Sequence, residues 1–235
     1  MRYFEKQIER LGIGLRLSTK VTADDIEAAQ FDSAILATGV RPRLPNIEGI
    51  RNPNVIGYAD VLNGSTKLGG RVAIVGGGGI AFDVALYLLE VDDPSFTDPD
   101  AFRRRWGIGH PLPDIQPRHQ ITMMQRSEGP MGRRLGKSTG WIHRAIMKQN
   151  RVRQISGVRY ERIDDRGIHV EVDGVIKLVA ADTIVICAGQ EERADLATGL
   201  TASSVDLHVI GGANQAAELD AERAISEGML AASRI

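Results

Sequence analysis

The amino-acid sequence predicts an α/β fold: a Rossmann-like parallel sheet with a β-meander attached. Three observations carry that expectation. A strand-like segment at residues 71–75, apolar from Val72 to Val75, passes through four consecutive glycines, Gly76, Gly77, Gly78 and Gly79, into an apolar-periodic stretch at residues 80–90. That order is the strand, tight turn and helix of a βα unit. Short buried-type runs end in glycine at Thr38-Gly39, Ala188-Gly189 and Gly211-Gly212, where the chain can turn sharply without a Cβ in the way. Asp173-Gly174 joins two further apolar runs, which is the turn chemistry of a two-residue hairpin.

The elements follow in chain order. Tyr3, Phe4, Gln7, Ile8 and Leu11 fall at helical spacing and Gly12 stands where a left-handed cap belongs, so an amphipathic helix opens the chain. Residues 13–17 and 32–37 read as short strands separated by a helical or turn segment at 22–30. Pro42, Pro45 and Pro53 alternate with Asn46, Gly49 and Asn52, turn chemistry that suggests a connection between domains with a boundary near residue 66. After the βα unit, residues 92–119 are rich in proline, carry Arg103, Arg104 and Arg105, and show little periodicity. They read as an insertion. Residues 120–124 resume as a strand and 138–149 as a helix, with Ser138 or Thr139 as its cap and Asn150 at its end. Residues 168–172 and 175–179 form the hairpin, 183–187 another buried strand, and 207–210 a strand leading to an Ala-rich helix over 216–232.

Composition narrows the function classes. The 235 residues hold 29 basic and 30 acidic side chains, a balance that offers no electrostatic case for nucleic acid or an anionic membrane. No apolar run approaches the roughly 18 residues of a membrane span, and the amino terminus lacks the apolar core of a secretory signal. The single cysteine, Cys187, cannot make an internal disulfide or a multi-thiolate metal site, so a cytoplasmic setting is expected. It lies in an apolar strand, as an inert buried thiol would. The five histidines show no metal-ligand spacing, and no Tyr-x-x-x-Lys dyad occurs.

The glycine turn is the first motif with chemistry. Gly76, Gly78 and Ala81 fill the three small positions of G-x-G-x-x-A: one for the turn, one for approach to a pyrophosphate, one for close helix packing. With Gly79 and Ile80 opening the helix, its unpaired N–H groups and positive dipole end face the phosphates. In an NAD site the next strand ends in an acid that binds the ribose hydroxyls. Here that strand ends in Gln125-Arg126. An arginine fork suits a 2′-phosphate, so the expectation is NADP with Arg126 as main contact and Arg134 or Lys137 as helpers. Gly136-Lys137-Ser138-Thr139 is not a Walker A loop, because residue 131 is methionine and Gly132 leaves only three residues before Gly136.

Taken in order, the segment from Ile35 to Pro42, the glycine turn, and Val209-Ile210-Gly211-Gly212 resemble flavoproteins in which an NAD(P) domain is inserted into an FAD domain. More specifically, Val75 to Asp83, Leu135-Gly136-Lys137-Ser138-Thr139-Gly140-Trp141-Ile142-His143-Arg144, Val185 to Glu191 and Glu218 to Ala221 resemble the carboxyl-terminal part of NADPH-dependent 2,4-dienoyl-CoA reductases. These are the bacterial iron–sulfur flavoproteins of the old yellow enzyme fusion type. The resemblance spans nearly the whole chain. It implies a Rossmann-like NADPH-binding domain at 67–195 inserted into a partial FAD-binding domain, with 1–66 and linker before it and 196–235 returning to it. Ala188, Gly189 and Gln190 would join the glycine turn at cofactor-binding positions. Thr38, Gly39, Gly212, Ala213, Asn214 and the helix start near Glu218 would face FAD, although Asn214 stands where many relatives have an acid. The resemblance further implies a barrel with FMN and a 4Fe-4S cluster amino-terminal to these segments, NADP(H) and FAD as partners, and a chain that begins after the FAD fingerprint. Two other readings remain open: a related trimethylamine dehydrogenase-like fusion with another substrate, and a non-catalytic NADP-binding module.

Overall fold

The structure, a computed structural model, describes residues 2–90, 94–111, 116–200, 204–217 and 220–235. The chain forms two compact units: residues 1–41 with 191–235, and residues 42–190.

The first unit opens with α1 (Arg2–Arg10), closed by Gly12 at φ 65°. Next comes α2 (Ala23–Ala28), which begins at a capping box: Thr22 accepts from the Asp25 N–H while the Asp25 carboxylate accepts from Thr22 N–H at 2.8 Å. Then follow β1 (Ser33–Leu36) and the short β2 (Val40–Pro42). The strand expected at 13–17 does not form. Ile13, Leu15 and Leu17 are exposed, and without a neighbouring strand an alternating apolar pattern has nothing to pair with.

The second unit begins within β2 and continues into β3 (Val55–Gly57) and α3 (Tyr58–Leu62). Residues 42–66 therefore lie in this unit, not with the preceding segment, because β3 pairs in parallel with a strand of the central sheet. β4 (Arg71–Val75) leads through the glycines to α4 (Gly79–Glu90). Within the expected insertion, α5 (Pro99–Arg105) is ordered by its own signals. Asp98 caps it by accepting from Asp100 N–H at 2.9 Å, proline occupies its first position, and three arginines complement the dipole at its end. β5 (Gln120–Met124), α6 (Gly140–Gln149) and β6 (Arg153–Ile155) complete the parallel part. Thr139 stands before α6 but makes no side-chain cap hydrogen bond. The meander consists of β7 (Arg159–Asp164), β8 (Gly167–Val172) and β9 (Val175–Ala180). Its second turn places Asp173 at φ 53° and Gly174 at φ 75°, both in the left-handed region that this hairpin type requires. β10 (Thr183–Ile186) then enters the centre of the sheet.

The five-stranded sheet runs β3-β10-β4-β5-β6, all parallel. Its two faces alternate residue by residue. Val72, Ile74, Ile121, Met123, Val185 and Cys187 pack with Phe82, Val84 and Ala85 of α4 and with Ile146 and Met147 of α6. Ala73, Val75, Met124, Ile184 and Ile186 pack with Ile163, Ile168, Val170 and Val179 of the meander.

The chain returns to the first unit within β11 (Gln190–Glu192), which pairs with β2, and continues through α7 (Asp195–Gly199) and β12 (Asp206–Val209). β12 pairs with β1 in parallel. After a 3-10 turn at Gly211–Ala213 comes α8 (Ala221–Ala232). The helix starts at 221 rather than 216 because the Asp220 carboxylate accepts from Arg223 N–H at 2.8 Å, a cap that overrides alanine propensity. Glu218 lies outside the described residues. No helix among the described residues is long and apolar enough to cross a membrane.

Candidate functional site

In open parallel sheets, ligands bind outside the carboxyl ends of the strands, where the strand order reverses. That reversal falls between β4 and β10: β5 and β6 lie on one side of β4, β10 and β3 on the other. The predicted glycine turn sits at this point.

Each glycine there has its own environment. Gly76 adopts φ 141°, and a Cβ on it would lie 2.3 Å from the Cys187 carbonyl oxygen. Its N–H donates to the Met124 carbonyl at 2.8 Å, so it holds the turn against both neighbouring strands. A Cβ on Gly77 would lie 2.3 Å from Gln125 Oε1. Around Gly78 and Gly79 a Cβ would meet nothing within 4 Å. Ala81 is completely buried, as close packing of helix on strand demands. Two glycines therefore seat the turn, and two leave open space at a helix start whose first N–H groups have no intrahelical acceptor. A pyrophosphate fits this cradle.

Arg126 lies just past the tip of β5, one residue beyond the side chain that abuts Gly77. It is exposed and forms no hydrogen bond or ion pair among the described residues. Its charge is close enough to favour ionisation of Tyr160, yet burial dominates and raises that phenol well above its ordinary value. The Tyr160 hydroxyl donates to the Met124 carbonyl at 2.8 Å, so this one oxygen accepts from both the glycine turn and the meander.

Arg134 and Lys137 project from the loop before α6 and are exposed. The loop itself is anchored. Met131 is buried, Gly132 at φ 71° lies against Leu135 and the Phe82 ring, and the Arg144 guanidinium donates to the Gly132 carbonyl at 3.2 Å. On the β10 side, the Ala188 carbonyl accepts from Arg43 Nε at 2.9 Å and from a second Arg43 nitrogen. Gly189 turns at φ 100° and its carbonyl accepts from Arg43 N–H at 3.0 Å. Gln190 Nε2 donates to the Tyr58 hydroxyl at 3.1 Å. Burial raises the Cys187 thiol to about 12, helped by the negative charge of Asp83, so it is no nucleophile at neutral pH.

The structure thus brings Gly76, Gly78, Gly79, Ile80, Ala81, Arg126, Ala188, Gly189 and Gln190 to one edge of the second unit. Sequence reasoning missed Arg43 and Tyr58, which fix the β10 end, and Gln125, whose only signal was its place beside Arg126.

Thr38, Gly39, Gly212, Ala213 and Asn214 belong to the first unit. The Thr38 hydroxyl donates to the Arg193 carbonyl, and Gly39 at φ 72° has open space where a Cβ would stand. Gly212 and Ala213 are buried in the 3-10 turn, whose first residue, Gly211, donates its N–H to the Glu227 carboxylate of α8. Asn214 is exposed beside them. The room at Gly39 fits a ligand approaching the backbone, whereas the Thr38 hydroxyl is already engaged.

Comparison with known proteins agrees with this architecture. The family model of pyridine nucleotide-disulphide oxidoreductases matches residues 3–218. A metal reductase of Desulforamulus reducens is 28% identical over 90% of this chain and 32% of its own length. A bilirubin reductase of Mediterraneibacter gnavus is 24% identical over 99% of the chain and 32% of its own length. The solved structure of a 2-naphthoyl-CoA reductase superposes with a TM-score of 0.77 at 27% identity, over 97% of this chain and 30% of that one. The chain spans about a third of the length of these relatives. It belongs to the pyridine nucleotide-disulphide oxidoreductase family, and membership implies FAD and NAD(P)H as cofactors.

Proposed function

We propose that this chain binds NADPH on its second unit and serves the NADPH-to-FAD step of a flavin oxidoreductase that, in its complete form, reduces a 2,4-dienoyl-CoA thioester. The observation that carries the NADPH reading is the end of β5, where an exposed Arg126, unpaired among the described residues, stands in place of the carboxylate expected of an NAD site. When bound, the nicotinamide would supply a hydride and the FAD would be its acceptor. The residues of this chain bind and orient. Gly78 and Gly79 let the pyrophosphate reach the N–H groups at the start of α4. Arg126 pairs with the 2′-phosphate, and Arg134 and Lys137 add positive charge. Ala188, Gly189 and Gln190, braced by Arg43 and Tyr58, border the cofactor on the β10 side. None of these groups acts as acid or base, because positioning is the protein's share of hydride transfer. Thr38, Gly39, Gly212, Ala213, Asn214 and Glu218 are assigned to FAD. FMN, a 4Fe-4S cluster and the thioester pocket are assigned to a barrel in the complete, cytoplasmic protein.

Likeness to a reductase of an aromatic acyl-CoA supports the thioester substrate. Likeness to a metal reductase favours a second reading, in which the same NADPH-to-flavin step feeds another acceptor. Direct titration tests the cofactor assignment. Arg126→Ala raises the NADPH Kd by about 10- to 100-fold and leaves NADH unchanged, as loss of a charged hydrogen-bonding partner implies. Equal affinity of the unaltered chain for NADH and NADPH would sink it. Adding FAD and a dye acceptor tests for turnover, and its absence would favour a non-catalytic nucleotide binder.

A further inference from the structure

The loop that carries Arg126 is held by the side chain of the residue before it, Gln125. Gln125 Nε2 donates to the Gly129 carbonyl at 3.0 Å and to Ser156 Oγ at 3.2 Å. Its main chain is paired as well: its N–H donates to the Ile155 carbonyl at 3.0 Å, and its carbonyl accepts from Val158 N–H at 3.1 Å. Gly157 N–H donates to the Ser127 carbonyl at 3.1 Å. The same side chain fills the space over Gly77, where a Cβ would come within 2.9 Å of Gln125 Cβ. One amide therefore touches three pieces of structure: the glycine turn, the far end of the Arg126 loop at Gly129, and the turn after β6 at Ser156.

We propose that Gln125 is a positioning residue for cofactor discrimination, which clamps the 126–129 loop so that the Arg126 guanidinium is presented to a 2′-phosphate. The inference rests on the NADPH reading above. An arginine has a long, flexible stem, and ordering it on binding costs affinity. A loop closed at Gly129 by a side-chain hydrogen bond, and at Ser127 by a backbone one, removes part of that cost before the ligand arrives. A nucleotide without a 2′-phosphate gains nothing from the clamp, so the effect is confined to NADPH.

Gln125→Met tests this, because methionine keeps the length and packing over Gly77 and removes both side-chain hydrogen bonds. The 235-residue chain and its Gln125→Met, Arg126→Ala and doubly substituted forms are titrated with NADPH and with NADH, and their melting temperatures are compared. Gln125→Met is expected to raise the NADPH Kd about fivefold to tenfold, the value of one or two hydrogen bonds, with NADH unchanged. In the Arg126→Ala background it is expected to add nothing. If Arg126→Ala alters the NADPH-to-NADH ratio and Gln125→Met does not, the positioning role is overturned and the NADPH reading stands. Equal weakening of both nucleotides, or the same loss with and without Arg126, shows a merely structural role and also overturns it. If Arg126→Ala leaves the ratio untouched, the NADPH reading falls and the clamp with it.

Discussion

The two units solve the same problem to very different degrees. In residues 42–190, a five-stranded parallel sheet is covered on both faces, and Val72, Ala73, Ile74, Phe82, Val84 and Met123 are all but inaccessible to solvent. In the other unit, β1 and β12 form a two-stranded parallel sheet, α1 buries no side chain, and Ile225, Met229 and Leu230 of α8 stay exposed. Parallel sheets are stable when both faces are covered, and a pair of strands alone is marginal. The difference teaches where the geometry of the molecule is over-determined: the glycine turn at 76–79 stands on two packed cores, whereas the residues at 38–39 and 212–214 stand in a unit with far less apolar burial.

Substitutions can break this contrast, and the largest effect falls on the packed unit. Phe82→Ala removes a fully buried ring that also lies against Gly132 and should cost about 3–5 kcal/mol in chemical denaturation. Met229→Ala, at a residue 70% exposed, should change stability by less than about 0.5 kcal/mol. Comparable losses at both sites would mean that α8 is covered in solution.

Gly76→Ala and Gly78→Ala sharpen the contrast within four residues. At Gly76 a Cβ meets backbone at 2.3 Å under a positive φ, so a loss of about 3 kcal/mol is expected from strain. At Gly78 the space is open; stability should hold while, on the proposed NADPH reading, the NADPH Kd rises about tenfold or more, since the added methyl would stand where a pyrophosphate is proposed to approach. Thermal melting and nucleotide titration of the pair check this directly.

The smallest expected effect is a pH dependence in the meander. Asp164 accepts from His169 at 2.7 Å, and this hydrogen bond, with further help from Arg166 N–H and Arg162, lowers its carboxyl from 3.8 to about 2. A depressed carboxyl contributes stability above its unfolded value and loses it as pH falls through the folded value. The contribution is therefore complete above pH 4 and disappears toward pH 2. Asp164→Asn should flatten the acid limb of a pH–stability curve in that window, and an unchanged limb would show the pair to be without consequence.

Much of the packed unit was legible in the sequence, for physical reasons. The run 72–75 is apolar because both faces of β4 are buried there, and the Asp173-Gly174 turn declares itself through the φ values it must adopt. β3 and β6 are three residues each, too short to show a period. β7 carries charge at four of its six positions, Arg159, Glu161, Arg162 and Asp164, and a register shift between Tyr160 and Arg162 breaks its alternation, so no strand period shows. The segment 13–17 failed in the opposite sense: its alternation is real, but pairing is a tertiary property that alternation cannot guarantee. In the candidate site the glycines and Arg126 stand out in the sequence because their pattern is local, whereas Arg43 and Tyr58 act through partners 145 and 132 residues away, and Gln125 through the fold that brings Ser156 beside it.

The Met124 carbonyl leaves one more consequence. Both of its lone pairs are engaged, one by the glycine turn and one by Tyr160. Anyone grafting the glycine turn into another scaffold, or trimming this unit by deleting the meander, would strip one of those donors and unroof the sheet face beneath β8. The smallest transplantable piece therefore runs from Pro42 to Gln190 as a whole, and insertions are better tolerated at the exposed Asp173-Gly174 tip than anywhere along β7.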